Sequence, residues 1–353
     1  MPATPPMPEL PPLWPARSIA ADAAGWLQAY LRFGCELWSQ APGVIATAAG
    51  RAAREACSDM AERGAGALIS GLWRNYVDGA SQLASTMVVA AETAVAVPPV
   101  TPPRSSYEIK GRPFLLPARV IDARQGWALY FVPVEVARKH LGMAEHDFDV
   151  IDTGHGRTPV IVLGVDYRAS DFGTYPELVF SLLVQSKGQP ASMPLVHYLA
   201  IVVSQDFTKE AALAVWGLKK TLVPTARAVY APDAVRFEVA PGALSVTFPR
   251  FGEARSAPLP IHSLSFRDGV AMQAVSMRVG AGEGMQIGGS VKLALGDRSA
   301  GTCLCRDAAE KCLCDTLRGF DIEKKLPAAN GWAEIMSGDF GAPSPIIRSG
   351  TSR

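Results

Sequence analysis

From about residue 105 onward the chain consists of short apolar runs rich in β-branched and aromatic residues, each stopped by glycine, proline or aspartate. Trp127-Ala-Leu-Tyr-Phe-Val, Pro159-Val-Ile-Val-Leu-Gly-Val and Leu195-Val-His-Tyr-Leu-Ala-Ile-Val-Val are the clearest examples. Side chains of this type pack well on a pleated, buried surface, and the runs are too short for most helices, so they read as buried strands. Residues 228–230, 235–239, 243–248, 272–279 and 289–295 continue the series. Helical patterns are few: 134–141, 208–216 and 306–318. Residues 105–347 therefore read as a β-rich α+β domain in which strands outnumber helices.

The first hundred residues are of another kind. Residues 1–17 are a proline-rich tail, where missing backbone donors and a fixed φ predict no regular structure. Over 18–97, 21 of 80 residues are alanine, and Trp26, Tyr30, Phe33 and Leu37 recur at one helical face. This predicts an all-α segment, closed by the stiff proline-rich linker 98–104. The chain has no lysine before Lys110 and no histidine before His140, so this segment carries little of the usual catalytic chemistry.

Charge narrows the function classes. The 353 residues carry a net charge of +1 with no basic stripe, which argues against nucleic acid as a partner. The start lacks the basic flank and apolar run of a signal peptide, and no uncharged apolar stretch reaches about 18 residues. A cytoplasmic location is expected, with its six cysteines kept reduced.

The sharpest local feature is Val215-Trp-Gly-Leu-Lys-Lys-Thr-Leu222, with Lys219 and Lys220 adjacent in an apolar setting. On the residues alone this is either a solvated helix end or a nucleophilic amine. An ordinary lysine, with a pKa of about 10.4, is protonated at neutral pH and cannot attack a carbonyl. A neighbouring ammonium and a dry pocket both disfavour that charge and release the amine.

With the lysine pair in view, residues 112–346 resemble the acetoacetate decarboxylase family. That family has a strand-rich antiparallel barrel domain and an adjacent lysine pair. The resemblance matches Lys219 to the Schiff-base lysine and Lys220 to its perturbing neighbour. Phe172-Gly-Thr-Tyr-Pro-Glu177 resembles the family's Gly-x-Tyr-x-Glu segment and matches Glu177 to an active-site glutamate. Arg124 falls near the family's active-site arginine, with Arg119 or Arg112 as other occupants of that place. The sequence departs from the pattern in three places. Ala211-Ala212-Leu213 replaces Gly-Arg-Glu, Leu218 replaces the proline before the lysines, and Val160-Ile161-Val162 holds no second acidic residue.

The resemblance implies decarboxylation of acetoacetate or a related β-keto acid through a Schiff base on Lys219. Arg124 would bind the carboxylate, and Glu177 would orient substrate or assist proton transfer. It also implies a homo-oligomer, and neither cofactor nor metal is expected. The alternative is a non-catalytic or divergent member that binds a small molecule or performs aldol or dehydration chemistry, localised by its N-terminal helices. Those alanine-rich helices are similar in composition and aromatic spacing to phasins, which would give segment 18–97 contact with a granule or membrane surface. Oligomerisation or docking is the plainer role for it.

Other candidates are weaker. Cys303-Leu-Cys305 and Cys312-Leu-Cys314 offer four thiolates for zinc, or a disulfide or redox pair. One residue between partners is fewer than the usual two to four, and ordinary thiols are the simpler reading. The histidines 140, 146, 155, 197 and 262 lack ligand spacing, and His197 in an apolar strand reads as a core or pocket residue. Gly280-Ala-Gly282-Glu-Gly284 and Gly288-Gly289 read as turns between strands. Asp166, close after a strand, is a further residue near a possible pocket.

Overall fold

The computed structural model describes residues 105–153, 156–187, 194–240, 242–256, 259–297 and 312–346. The expected tail, helical segment and linker of residues 1–104 lie outside the described residues, as do Cys303, Cys305 and His155. None of the described helices is long and apolar enough to cross a membrane.

The domain is β-rich, as the apolar runs predict. A first hairpin pairs β1 (Ser105–Ile109) with β2 (Arg112–Leu116). There follow β3 (Ala118–Pro133), α1 (Val134–Arg138), β4 (Phe148–Val150), β5 (Arg157–Ser170), β6 (Tyr175–Ser186) and β7 (Leu195–Val203). Helix α2 (Asp206–Ala211) runs into a π-turn at Ala212–Trp216, ahead of β8 (Thr221–Leu222). The remaining elements are β9 (Arg227–Tyr230), β10 (Ala234–Ala240), β11 (Leu244–Pro249), β12 (Ala254–Arg255), β13 (Leu259–Arg267), β14 (Val270–Ile287), β15 (Lys292–Leu295), α3 (Leu313–Gly319), β16 (Ala329–Phe340) and β17 (Ser344–Pro345).

Hydrogen bonding closes a barrel in the order β6-β5-β3-β16-β14-β13-β7 and back to β6. Neighbours are antiparallel except β7 and β13, which meet in parallel over Val196↔Ser263 and His197↔Leu264. Closure leaves the principal sheet without open edges along this ring. A second, four-stranded antiparallel sheet, β15-β11-β10-β9, packs on the outside. Gly126 and Gly164 stand opposite each other across β3 and β5 and make a dent in the wall. The rings of Phe248 and Phe237 fill it, so closely that a Cβ on either glycine would lie 2.5–2.6 Å from ring carbon. The two rings meet edge to face at 5.8 Å.

Two apolar clusters result. One lies between the barrel wall and the second sheet, the other inside the barrel. Strand β6 feeds both: Leu178, Phe180 and Leu182 face the first, while Tyr175 and Val179 face the second. That double burial explains the run Leu178–Val184, apolar but for Ser181, because neither face of the strand meets water.

The glycines of 280–284 correct an expectation. They do not form a turn but lie within β14, which continues through them to pair with β16. Gly282, at φ 58°, is the extra residue of a bulge against β12, where Ala254 pairs with Glu283 and Arg255 with Ala281. Gly284 lets Phe251 approach to 2.5 Å from where a Cβ would stand. Short side chains here serve close packing within a strand, which a turn-based reading of glycine overlooks.

Candidate active site

The lysine pair is positioned by the end of α2. Gly217 adopts a left-handed conformation at φ 69°, and its backbone and that of Leu218 bond to Leu213 and Ala212 carbonyls at 3.1 and 3.0 Å, closing the helical turn. A Cβ at Gly217 would stand 2.5 Å from the Phe266 carbonyl oxygen, so only glycine fits. Leu218 and Lys220 line an internal cavity, while Lys219 between them is exposed.

This placement does not suit the expected assignment of Lys219 as the reacting amine and Lys220 as its perturbing neighbour. The two ammonium groups point into different surroundings, Lys219 into solvent and Lys220 into the cavity. The buried amine is Lys220, whose side chain is only 9% exposed.

Glu177 arrives from β6, two residues beyond Tyr175 on the same face. Its carboxylate Oε2 accepts a hydrogen bond from Lys220 Nζ at 2.6 Å, and its side chain is 10% exposed. Lys220 Nζ also donates to Thr208 Oγ1 at 3.1 Å, and Thr208 donates to the Tyr175 hydroxyl at 3.0 Å. Tyr175 stacks on Tyr167, its cross-strand partner, at 4.6 Å. The Tyr175 ring lies 5.7 Å from the Lys220 ammonium. The amine is thus held from three sides by one carboxylate, one hydroxyl and one ring face.

Across the cavity, Tyr198 of β7 and Ser263 of β13 share a hydrogen bond of 2.8 Å at the parallel seam of the barrel. Burial, with the charge of Glu177 adding to it, pushes the Tyr198 hydroxyl up to about 12. Burial likewise raises Tyr167 and Tyr175 well above the usual tyrosine range, and Glu177 adds to both. These phenols are neutral donors at any ordinary pH. The rest of the wall is largely apolar, with the aromatic Phe172, Trp216 and Phe340 beside Ile201, Leu218 and Val275. Trp216 is fixed by its indole N–H donating to the Gly341 carbonyl at 2.9 Å. The cavity measures about 50 Å3, or roughly three to five water-sized sites at about 10–15 Å3 each.

The expected arginines lie elsewhere. Ala123 of β3 faces the barrel interior, so Arg124 projects to the opposite side of the wall, toward the second sheet. There its guanidinium lies 4.7 Å from the Tyr230 ring centre and 2.9 Å from Glu334 Oε1. Glu334 also accepts from Arg250 at 2.9 Å and from the Trp332 indole at 2.9 Å. Asp166 belongs to this outer cluster, accepting from the Tyr230 hydroxyl. Arg119 is exposed and pairs with Asp171, and Arg112 rests on the Phe207 ring. The bulge in β3 at Asp122/Ala123 sets this parity, and bulges are not readable from residue types. Among the described residues, the charged groups lining the cavity are Glu177 and Lys220.

Thr208, Tyr198 and Ser263 were not singled out by motif. One signal was present for Tyr175 and Tyr167: both stand at even spacing on strand faces shared with the site. No group of three His, Cys, Asp or Glu side chains suited to a metal occurs among the described residues. Cys312 and Cys314 are buried at the start of α3, with Cys314 Sγ 3.5 Å from the Ala243 carbonyl. His197 is largely buried, and burial lowers its pKa; His262 shares a 2.7 Å bond with Gln273.

No family model and no curated protein matches the sequence. Among solved structures the chain is similar to an acetoacetate decarboxylase at 12% identity and a TM-score of 0.45, over 65% of this chain and 89% of that one. It is similar to acetoacetate decarboxylase from Legionella pneumophila at 13% identity and a TM-score of 0.45, over 74% and 95% of the two chains. The enduracididine biosynthesis enzyme MppR aligns at 11% identity and a TM-score of 0.37, over 65% and 86%. At these values each is a similarity of backbone alone.

Proposed function

We propose that the chain is a decarboxylase of acetoacetate or a related small β-keto acid, acting through a Schiff base on Lys220. The observation that carries this is a buried lysine amine, 2.6 Å from a carboxylate, inside a small, largely apolar cavity. Glu177 takes a proton from the Lys220 ammonium across that short bond, and the neutral amine adds to the ketone carbon. The resulting carbinolamine loses its hydroxyl as water, using the proton held on Glu177, and an iminium forms. The bond to the carboxylate carbon then breaks. Its electron pair moves toward the iminium nitrogen, so CO2 leaves and a neutral enamine remains. The enamine carbon takes a proton from water, and hydrolysis frees the ketone and restores the amine. Thr208 and Tyr175 keep the amine aimed into the cavity.

Borohydride reduction in the presence of acetoacetate, followed by peptide mass spectrometry, tests this. A stable adduct is expected on Lys220, lost in Lys220→Ala and retained in Lys219→Ala. No adduct, or an adduct confined to Lys219, would refute it.

A further inference from the structure

A β-keto acid brings a carboxylate into this cavity, and among the described residues no arginine lines it. Lys220 and Glu177 neutralise each other, and Arg124 is committed to Glu334 on the far side of the wall. The lining carries other hydroxyls, but Tyr167 and Tyr175 bond to each other, Tyr175 also accepts from Thr208, and Ser276 donates to the Ile261 carbonyl at 3.5 Å. Among the described residues, Tyr198 and Ser263 are the pair that share a bond only with each other, their hydroxyls 2.8 Å apart. Two hydroxyls sharing one hydrogen bond have a further hydrogen to give, and both become available if the shared bond opens. A carboxylate, with two oxygens and about four lone-pair sites, accepts both.

We infer that the Tyr198 and Ser263 hydroxyls form the subsite for the acid group of the substrate, replacing the arginine that the sequence resemblance implies. This rests on Lys220 as the Schiff-base amine. Ser263 is 8% exposed and held by β13, and Tyr198 is packed against the interior cluster, so the pair is preorganised. The Tyr198 hydroxyl also stays protonated across the working pH range. Neutral donors have a chemical consequence. A guanidinium would stabilise the ground-state carboxylate more than the transition state, in which that charge is leaving as CO2. Neutral hydroxyls orient the group and oppose its loss less than a full positive charge would.

The test uses the full chain with Tyr198→Phe and Ser263→Ala, each of which removes one oxygen. Circular dichroism confirms that each folds, and Ser263→Ala carries the test alone if the other does not. Binding of 3-hydroxybutyrate, which has the acid group but no ketone, is measured by calorimetry. Reductive trapping of acetone, which has the ketone but no acid group, is measured at Lys220. Each variant is expected to weaken 3-hydroxybutyrate about ten- to a hundredfold, the range for a hydrogen bond to a charged acceptor. Acetone trapping should stay within about twofold. Unchanged 3-hydroxybutyrate binding in the variants, no binding by the parent chain, or equal losses for both ligands would each overturn the subsite. A parent chain that binds 3-hydroxybutyrate through Tyr198 and Ser263 but traps no ketone would support the acid subsite and refute the Schiff-base reading instead.

Discussion

Replacing Lys220 by methionine removes the charge but keeps an unbranched side chain of similar length. It leaves the Glu177 carboxylate with its partner gone, in a position where only 10% of the side chain meets solvent. Breaking a buried pair by deleting one partner typically costs about 3–5 kcal/mol, because the survivor is desolvated without compensation. In a domain of this size 1 kcal/mol corresponds to about 2–4 °C, so Lys220→Met should lower Tm by roughly 6–20 °C. Glu177→Gln is expected to cost less, because the neutral amide can still accept from the ammonium. The double variant Lys220→Met/Glu177→Leu should recover most of the loss, since an apolar pair of similar volume is often neutral or better. Urea denaturation followed by the β-sheet circular dichroism signal measures all three. If Lys220→Met costs less than about 1 kcal/mol, the amine is not a buried, paired group and the site geometry is wrong. If the double variant is as unstable as the single, the loss is one of packing and not of an orphaned charge.

Three further outcomes follow from the same geometry. Gly217→Ala places a Cβ 2.5 Å from the Phe266 carbonyl at a left-handed φ, so it should cost about 1–3 kcal/mol and reduce trapping at Lys220 while leaving Lys219 chemically accessible; unchanged trapping would show that this turn does not aim the amine. Tyr167, Tyr175 and Tyr198 have folded pKa values raised above the ordinary value near 10, with burial as the main cause. The stability they contribute is full below pH 10 and is lost as pH rises beyond it, so absorbance at 295 nm should show these phenols ionising only with unfolding. A reversible titration of all tyrosines near pH 10 in the folded state would contradict this. His197 and His262 are both lowered by burial, so their contribution is present above about pH 6.5 and is lost as pH falls. Tm should therefore drop between pH 7.5 and 5.5, and the double variant His197→Gln/His262→Gln should flatten that slope. An unchanged slope would assign the acid sensitivity to other groups.

Much of this architecture is written in residue type. Runs of β-branched and aromatic residues mark β3, β5, β7, β9, β10 and β11, because such side chains suit a buried pleated surface wherever it lies. The lysine pair and the glutamate about forty residues before it are also conspicuous, since charge stands out in an apolar context. Tertiary structure decided which of these groups meet. Lys219 and Lys220 are chemically alike, and only the path of the chain after Gly217 turns Lys220 inward. Arg124 looked well placed by its distance along the chain, yet the bulge beside Ala123 aims it at Glu334. Tyr198 and Ser263 lie 65 residues apart and meet only because β7 and β13 close the barrel in parallel. Residue type is a local property that composition and spacing can register. The side of a wall on which a side chain emerges depends on register and closure, and these are fixed only when distant strands pair.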